Sequence, residues 1–379
     1  MNAFHSNNRN QSGQPKSKRI NILFVIPSLH AGGSERVVLH LVRHLSRDLF
    51  NITLLVLKKE GAFLALIPSD IKVINFDYSR TIHSIFAILR LIWQLRPNIV
   101  FSTLGHLNLI IALLKPFLPR ETLLVARESS IISFRNKDER YPKIFNFLFK
   151  TVYKRLHCII CQSEYMKNDL VVNFSVPQHL IKVINNPVDF SMMPQSLQTR
   201  NDRSNDCNLI SIGQLRKEKG YERILRSLSK SQINFNYKII GGGDKENLQR
   251  LIDALHLTHK VTLLGSLAYP YHELAKSDCL ILGSFYEGFP NVVLEANACG
   301  IPVIAFKAPG GHNEIIIDGV NGWFVNSEEE LNSLLALKVY QRVDKVKIIE
   351  LTNKRYNIEK IVRQYEEAFI ICHGKPAKR

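Results

Sequence analysis

Two glutamates, Glu287 and Glu295, flank a segment that predicts a strand, a tight loop and the start of a helix. Residues 280–282 predict the strand, the Gly-Phe-Pro run predicts the loop, and the helix is expected to begin near Asn291. A helix N-terminus suits phosphate because its first backbone N–H groups lack intrahelical partners. Carboxylates do not bind phosphate, so we expect the glutamates to bind hydroxyl groups on either side, as a sugar nucleotide requires. Alternatively, both are solvated charges on an exposed helix.

The elements that must position this segment are strands alternating with helices through two halves of the chain, 20–190 and 205–353. Alternation of this kind predicts two parallel sheets, each covered by helices on both faces. A polar stretch at 190–206 is predicted to link the halves. Residues 1–19 are polar, lack the apolar core of a signal peptide and are expected to be disordered.

The composition is that of a globular protein with a large excess of basic residues. Of the 379 residues, 45% are hydrophobic and 22% are charged, and the formal net charge is +17. Such a charge suggests nucleic acid or anionic lipid as a partner. Six scattered cysteines without an export signal predict a reducing, cytoplasmic location. Cys158 and Cys161 have metal-ligand spacing, but the branched apolar residues between them predict a buried strand instead.

Glycines mark two further strand ends. Gly32 and Gly33 follow the first predicted strand, where glycine lets the backbone approach a bound phosphate closely. Residues 241–243 are all glycine, but their spacing differs from that of the dinucleotide fingerprint. This difference argues against an oxidoreductase.

Many spaced motifs occur together in one order along the chain. Besides the segment from Glu287 to Glu295, with Gly-Phe-Pro-Asn inside it, they lie at 32–35, 163–164, 186–189, 212–215, 219–220, 240–243, 261–265, 277–278, 309–311 with Glu314, and 321–322. Together they resemble the motifs of family 4 glycosyltransferases, also called glycosyl transferases group 1. The resemblance is strongest in the second half and looser in the first.

The resemblance implies a GT-B fold, in which two Rossmann-like, doubly wound α/β domains face each other across a cleft. It implies an acceptor domain at 20–190 and a nucleotide-sugar donor domain at 205–353. A C-terminal helix at 354–372 would follow a break near Asn353 and pack back on the first domain. Residues 321–325 are expected to form a hairpin-like turn before the last helices.

By the same resemblance, the expected activity transfers a hexosyl or N-acetylhexosaminyl group with retention of anomeric configuration. The donor would be a nucleotide-diphosphate sugar, UDP-linked, and the acceptor a glycan, lipid-linked, in bacterial surface polysaccharide or lipopolysaccharide synthesis. No cofactor is expected. The chain has no Asp-x-Asp, which argues against the metal-dependent GT-A type, so no metal is expected in the site. Two alternatives remain open: a sugar-nucleotide epimerase of the same fold, and a non-catalytic membrane-associated partner in a polysaccharide assembly complex.

The resemblance also assigns roles to individual residues. Glu287 would contact the donor sugar, Glu295 the ribose hydroxyls, and Lys219 the diphosphate as a compact cation. Gly33 would supply close backbone approach from the opposite domain. The backbone around Phe289, Pro290, Asn291 and Val292 would bind the distal phosphate at the helix N-terminus.

One position departs from the family pattern. Family members often carry arginine five residues before the lysine, where this chain has Gln214. A neutral amide can hydrogen-bond a phosphate but contributes no charge. Arg216 is a candidate replacement, although it would point to the other face if the strand continued.

Two first-half residues are candidates for a place near the sugar. His106 and Glu128 each follow a predicted strand, and open α/β sheets bind ligands at the carboxyl ends of their strands. Many GT-B enzymes place a first-domain histidine or acid there. The alternatives are an ordinary loop histidine and a structural ion pair between Glu128 and Arg127.

The basic charge is concentrated in residues 135–155, with seven lysines or arginines and two acids, interleaved with aromatic and aliphatic residues. This pattern favours an amphipathic element in a membrane interface. With the apolar stretch 107–118, it predicts docking of the first domain on an anionic membrane, at the inner face of the cell membrane. A core helix with solvated lysines is the alternative, and nucleic acid is not expected as a partner.

Overall fold

The computed structural model describes residues 19–30, 32–77, 84–193 and 206–374. Most of the predicted N-terminal tail and of the predicted linker lies outside these residues. Within the described ranges the chain forms two parallel sheets, each flanked by helices. The predicted α/β class with two Rossmann-like units is therefore confirmed.

Seven parallel strands of the described first half make one sheet in the order β3-β2-β1-β4-β5-β6-β7. They are β1 (Ile20–Ile26), β2 (Phe50–Val56), β3 (Lys72–Asn75), β4 (Ile99–Thr103), β5 (Leu123–Arg127), β6 (Cys158–Cys161) and β7 (Ile181–Val183). The strand order reverses between β1 and β4, which creates the switch point where such sheets bind ligands.

The helices that cover this sheet are α1 (Gly33–His44), α2 (Ile85–Leu95), α3 (Gly105–Leu114), α4 (Ile132–Arg135), α5 (Pro142–Val152) and α6 (Glu164–Phe174). Successive residues of β1 point to opposite faces, as the period of a strand requires. Ile22 and Phe24 join one hydrophobic core, and Leu23 and Val25 join the other. Both faces of the sheet are therefore buried.

The second sheet has the order β10-β9-β8-β11-β12-β13 among the described residues. Its strands are β8 (Cys207–Ile212), β9 (Phe235–Ile240), β10 (Val261–Gly265), β11 (Cys279–Leu282), β12 (Val303–Phe306) and β13 (Gly322–Val325). Its helices are α7 (Tyr221–Ser229), α8 (Lys245–Ala254), α9 (Tyr271–Ala275), α10 (Asn291–Ala298), α11 (His312–Ile315), α12 (Glu328–Ala336) and α13 (Lys345–Tyr356). The order reverses between β8 and β11, which gives a second switch point.

The last helix, α14 (Ile358–His373), packs on the first sheet rather than the second. Phe369 contacts Phe24 and Phe101 edge-to-face, with ring centroids 6.4 and 5.7 Å apart. The predicted break near Asn353 is wrong, because α13 continues to Tyr356. The chain bends instead at Asn357, whose side chain accepts a 2.8 Å hydrogen bond from the backbone N–H of Glu359 and caps α14.

Residues 321–325 do not form the predicted hairpin-like turn, because β13 pairs in parallel with β12. The chain reaches β13 through α11, and a crossover of this kind gives parallel pairing. Asn321 stabilises the connection between α11 and β13. It accepts a hydrogen bond from the N–H of Ile317 (2.6 Å) and donates one to Asn297 (2.9 Å).

Two smaller expectations can be compared with the described residues. Cys158 and Cys161 lie in the buried strand β6, as predicted, and no disulfide forms among the described cysteines. No described helix is both long enough and apolar enough to cross a bilayer.

Candidate active site

A cleft of about 570 Å³ lies between the two sheets and is lined by residues of both. Its volume is in the usual range for a small-molecule site, about 300–1,000 Å³. The structure brings most of the predicted site residues together there: Gly33, His106, Gln214, Arg216, Lys219, Glu287, Phe289, Pro290, Asn291, Val292 and Glu295 line it, and Glu128 does not.

The N-terminus of α10 faces this cleft and is fixed from the first half. No side chain caps the helix at Pro290. Asn186 donates 3.1 and 2.6 Å hydrogen bonds to the carbonyl of Phe289 and to Oδ1 of Asn291. Asn291 in turn donates to the carbonyl of Gly33 across the cleft (3.0 Å). Asn186 thus positions the segment predicted to bind phosphate, a role that the sequence did not suggest.

The N-terminus of α1 opens on the cleft from the other side. Gly32 precedes this helix and contributes no side-chain cap. A Cβ atom at Gly33 would lie 3.0 Å from Nδ2 of Asn291, which is tighter than an ordinary contact. Two helix N-termini therefore converge on one space, and both place partial positive charge there.

Lys219 and Glu287 form an ion pair at the edge of the cleft. Nζ of Lys219 lies 2.6 Å from Oε1 of Glu287, and their side chains are 27% and 9% exposed. Ser284 donates a 2.6 Å hydrogen bond to the same carboxylate oxygen. This geometry holds a cation at the mouth of a site in which α10 presents its N-terminus.

The loop that carries Lys219 is packed tightly against the end of β11. Gly220 has φ +62°, and a Cβ atom there would lie 1.8 Å from the carbonyl oxygen of Gly283. Phe285 donates a 2.8 Å backbone hydrogen bond to the carbonyl of Glu218. The two loops that bear Lys219 and Glu287 are therefore joined by backbone contacts.

Arg36 reaches across the cleft from α1 to the second half. Its Nη1 donates to Oε1 of Glu295 (2.8 Å) and to the hydroxyl of Tyr271 (2.7 Å), and its Nη2 donates to the carbonyl of Ala268 (2.9 Å). Burial and the nearby Glu295 raise the pKa of Tyr271, so its phenol stays neutral. Arg36 follows the Gly-Gly-Ser-Glu motif, but nothing in its local sequence indicated this partner.

Glu128 lies beneath the cleft in a buried network and does not reach the predicted sugar site. Its carboxylate accepts hydrogen bonds from Asn108 (2.8 Å) and from the hydroxyl of Tyr153. Burial raises the pKa of Glu128, because a buried carboxylate loses its hydration. The alternative ion pair with Arg127 is also absent, since that guanidinium donates to Asn186 (2.6 Å) and to Tyr365 (3.2 Å) on the other face.

His106 lies at the first-half edge of the cleft and is exposed to solvent. Its Nε2 is 2.7 Å from a carboxylate oxygen of Glu139, and its ring lies 5.2 Å from that of Phe145. Leu104 precedes α3 with a φ of +75°, an uncommon backbone conformation for a residue with a branched side chain. The turn from β4 into α3 at the cleft is thus conformationally strained.

Gln214 and Arg216 both line the cleft, and both are exposed. Nη1 of Arg216 is 3.8 Å from a carboxylate oxygen of Glu218, while the side chain is 68% exposed. A strand continuing to Arg216 would have turned its side chain to the other face. Strand β8 ends at Ile212 instead, and Arg216 lines the cleft. Which of the two contacts a phosphate stays a prediction.

Two family models match consecutive parts of the chain. Residues 31–191 match "Glycosyltransferase Family 4", and residues 195–343 match "Glycosyl transferases group 1". The chain is a family 4 glycosyltransferase. The matches meet at the junction between the two sheets, so each half of this glycosyltransferase corresponds to one model.

Curated relatives of this glycosyltransferase include bacterial enzymes of glycan synthesis. The N-acetylgalactosamine-N,N'-diacetylbacillosaminyl-diphospho-undecaprenol 4-alpha-N-acetylgalactosaminyltransferase of Campylobacter jejuni is 27% identical over 342 residues, covering 85% of this chain and 90% of its own. The lipopolysaccharide 1,6-galactosyltransferase of Escherichia coli is 30% identical over 159 residues, covering 40% of this chain and 44% of its own.

Solved structures agree with the GT-B fold of this glycosyltransferase. Anabaena HepE in complex with UDP and glucose superposes with a TM-score of 0.77 at 20% identity, over 93% of this chain and all of that one. The lipopolysaccharide outer core galactosyltransferase WaaB superposes with a TM-score of 0.72 at 17% identity, over 93% and 99% of the two chains. The predicted GT-B fold is therefore confirmed, and the family models confirm the predicted glycosyltransferase.

Proposed function

We propose that this enzyme transfers a hexosyl or N-acetylhexosaminyl group from a UDP-linked sugar to a lipid-linked glycan in bacterial surface polysaccharide synthesis. Transfer would retain the anomeric configuration and use no metal ion in the cleft. One observation carries the proposal: Lys219, paired with Glu287, lies in the same cleft as two uncapped helix N-termini. These groups suit the chemistry of a diphosphate leaving group flanked by sugar hydroxyls.

The main electrostatic task of the reaction is to stabilise the departing diphosphate. When the bond between the anomeric carbon and the diphosphate oxygen breaks, its electron pair stays on that oxygen. The acceptor hydroxyl oxygen bonds to the carbon, and its proton passes to the departing diphosphate. Donors that are already fixed in place stabilise this charge without reorganisation. The Lys219 ammonium and the N–H groups at the start of α10 would supply them, with no step that needs a metal.

The two carboxylates would bind hydroxyl groups at opposite ends of the donor. Glu287 is held by Lys219 and Ser284 and would accept hydrogen bonds from the transferred sugar. Glu295 is held through Oε1 by Arg36, so its Oε2 would accept from the ribose. Fixing each carboxylate through one oxygen reduces the conformational entropy that donor binding costs.

The acceptor class rests on the named relatives together with a surface of the first half. The names of the Campylobacter jejuni and Escherichia coli relatives specify a diphospho-undecaprenol glycan and a lipopolysaccharide. Tyr141, just before α5, is 53% exposed, and Ile144 and Phe147 on α5 are 57% and 65% exposed. The exposed lysines Lys143, Lys150 and Lys154 accompany them. These six residues form the basic-aromatic surface.

We expect the basic-aromatic surface to dock on anionic lipid beside the cleft. It lies close to the cleft because Phe145, on the same helix, contacts the cleft residue His106. Each lysine near an anionic bilayer contributes about 1 kcal/mol to the free energy of membrane binding. Exposed apolar side chains strengthen binding further when they are buried in the interface. An acceptor held in that bilayer would then enter the cleft from the first half.

Donor and acceptor can be tested separately with purified protein. The melting temperature should rise with UDP-sugars more than with ADP- or GDP-sugars, because a ligand that binds only the folded state stabilises it by mass action. Transfer of radiolabelled sugar from the best donor should reach an undecaprenyl-diphosphate glycan. The proposal would be refuted if only ADP-sugars raised the melting temperature, or if the labelled sugar were transferred only to water.

Docking can be tested by sedimentation with phosphatidylglycerol and phosphatidylcholine vesicles. The variant with Lys143, Lys150 and Lys154 changed to alanine should lose binding to the anionic vesicles. As a matched control, the triple alanine variant of the exposed second-half residues Lys245, Lys260 and Lys347 has the same net charge and should bind like the wild type. Equal binding by the two triple variants would exclude this docking surface.

A further inference from the structure

Three side chains with metal-ligating atoms converge where α1 packs against the end of the first half. His40 and His44 lie one turn apart on α1, and Asp189 follows the last strand of the first sheet. Oδ2 of Asp189 lies 3.9 Å from Nδ1 of His40 and 3.5 Å from Nε2 of His44. Each residue offers one ligand atom that lies within 4.8 Å of those of the other two, and none of the three residues lines the donor cleft.

Two of these atoms are buried without a hydrogen-bond partner. Nδ1 of His40 and Oδ2 of Asp189 have none, although the residues are only 3% and 5% exposed. Burying polar atoms without partners is costly, so such pairs in a folded protein require an explanation. A cation between them would bind both atoms. The other carboxylate oxygen, Oδ1, is already fixed by the N–H and hydroxyl of Ser191 (3.1 and 2.5 Å).

We propose that His40, His44 and Asp189 bind a zinc ion, with water as the fourth ligand. Two imidazoles and one carboxylate favour zinc over calcium or magnesium, which prefer oxygen ligands. In a tetrahedral zinc site, ligand atoms about 2.0–2.1 Å from the metal lie about 3.4 Å apart. The two distances to Oδ2 of Asp189, 3.5 and 3.9 Å, need to contract by only a few tenths of an ångström. The two imidazole ligand atoms lie within 4.8 Å of each other and need to approach by at most about 1.4 Å.

Access from solvent also favours this site. The His44 side chain is 34% exposed, which gives the ion a path from solvent and room for the water. In the sequence, the signal is a pair of histidines four residues apart on a helix, a spacing that places both on one face.

The ion would join α1 to the crossing between the two halves. Asp189 follows Val188, whose backbone bonds to Tyr356 and Ile358 (2.8 and 3.0 Å), where the chain returns to the first half. At its other end, α1 carries Gly33 to the donor cleft. The zinc ion would therefore fix the orientation of α1 where the chain crosses between the two halves, and the proposed transfer step does not use it.

The test is zinc binding by untagged full-length protein, stripped with a chelator and titrated with Zn²⁺ alone in competition with a chromophoric chelator. We expect one ion per chain and a higher melting temperature in its presence. His44→Ala and Asp189→Asn should each weaken binding at least tenfold. Asp189→Asn keeps the oxygen that binds Ser191. A Co²⁺-loaded wild type should show the intense visible absorption of a tetrahedral site.

His272→Ala is the matched control, since His272 is an exposed histidine in the second half, and it should bind zinc as the wild type does. The inference is overturned if the wild type binds no zinc. It is equally overturned if folded His44→Ala and Asp189→Asn bind zinc as tightly as the wild type. Circular dichroism of each variant establishes that it has folded.

Discussion

Replacing Lys219 with alanine removes the cation that we place beside the departing diphosphate. Its ammonium lies 2.6 Å from the Glu287 carboxylate, so the substitution changes two things at once. The diphosphate loses a charged donor, and a mostly buried carboxylate loses its cation. Only the first change acts on the reaction through developing charge, and the second acts on stability and donor orientation.

The size of each effect follows from the geometry. A unit charge about 4 Å from a phosphate oxygen, at an effective dielectric constant of about 20, contributes about 4 kcal/mol. Losing one preorganised donor to a developing oxyanion typically lowers kcat by about 10²–10³-fold. We expect kcat/KM to fall in that range. Stability should fall by about 1–3 kcal/mol, because Glu287 keeps only its hydrogen bond from Ser284.

The assay is steady-state transfer with the donor identified by thermal shift. Urea denaturation of the same preparations reports folding. Lys217→Ala is the matched control, because Lys217 lies in the same 3-10 turn but is exposed and does not line the cleft. It should leave kcat/KM within about twofold of the wild type, since isolated exposed charges contribute little.

A kcat/KM of Lys219→Ala within threefold of the wild type would refute the assigned role. The double variant Lys219→Ala with Glu287→Ala separates the two effects. If Lys219 acts only by holding Glu287, the double variant should be no slower than Glu287→Ala alone. If it acts on the diphosphate directly, the double variant should be slower still.

Three further predictions follow from the cross-cleft and buried contacts. Arg36→Ala should raise the KM for the sugar donor about tenfold, because Glu295 loses the guanidinium that fixes its Oε1. The matched control Arg43→Ala, at an exposed position of the same helix, should leave this KM unchanged. Equal KM values for the two variants would contradict the prediction. Asn186→Ala should lower the free energy of unfolding, measured in urea, by about 1–3 kcal/mol. The reason is that Arg127 and the carbonyl of Phe289 each lose a buried hydrogen-bond partner. Because burial raises the pKa of Glu128, its stabilising contribution is present at low pH and lost as pH rises through that pKa. Glu128→Gln should therefore gain stability over the wild type as the pH rises above about 4.5, the ordinary pKa of this carboxyl group, and parallel profiles would contradict this.

The second-half part of the site could be predicted because it lies on continuous sequence. Glu287, the Gly-Phe-Pro loop and Glu295 belong to one strand-loop-helix unit, and local patterns determine such units. The contacts that complete the site are not local. Arg36 and Glu295 are 259 positions apart, and Asn186 and Asn291 are 105 apart, so only the packing of the two halves brings them together.

The sequence located the ends of strands but not the direction of the side chains that follow them. Glu128 follows β5 as expected, yet Asn108 and Tyr153 bind its carboxylate below the cleft. Asn353 was predicted to lie near a break before the last helix. It remains helical, and Asn357 ends the helix because it can cap the next one.

The position of α14 has a consequence for how the protein is made. The first sheet is synthesised early, but Tyr365 and Phe369, which complete its core, follow the whole second half in the sequence. Domains usually fold in the order of their synthesis. Here part of the core of the N-terminal half stays open until the second half and α14 have been translated. A nascent chain stopped before residue 358 would therefore expose apolar surface and depend on chaperones.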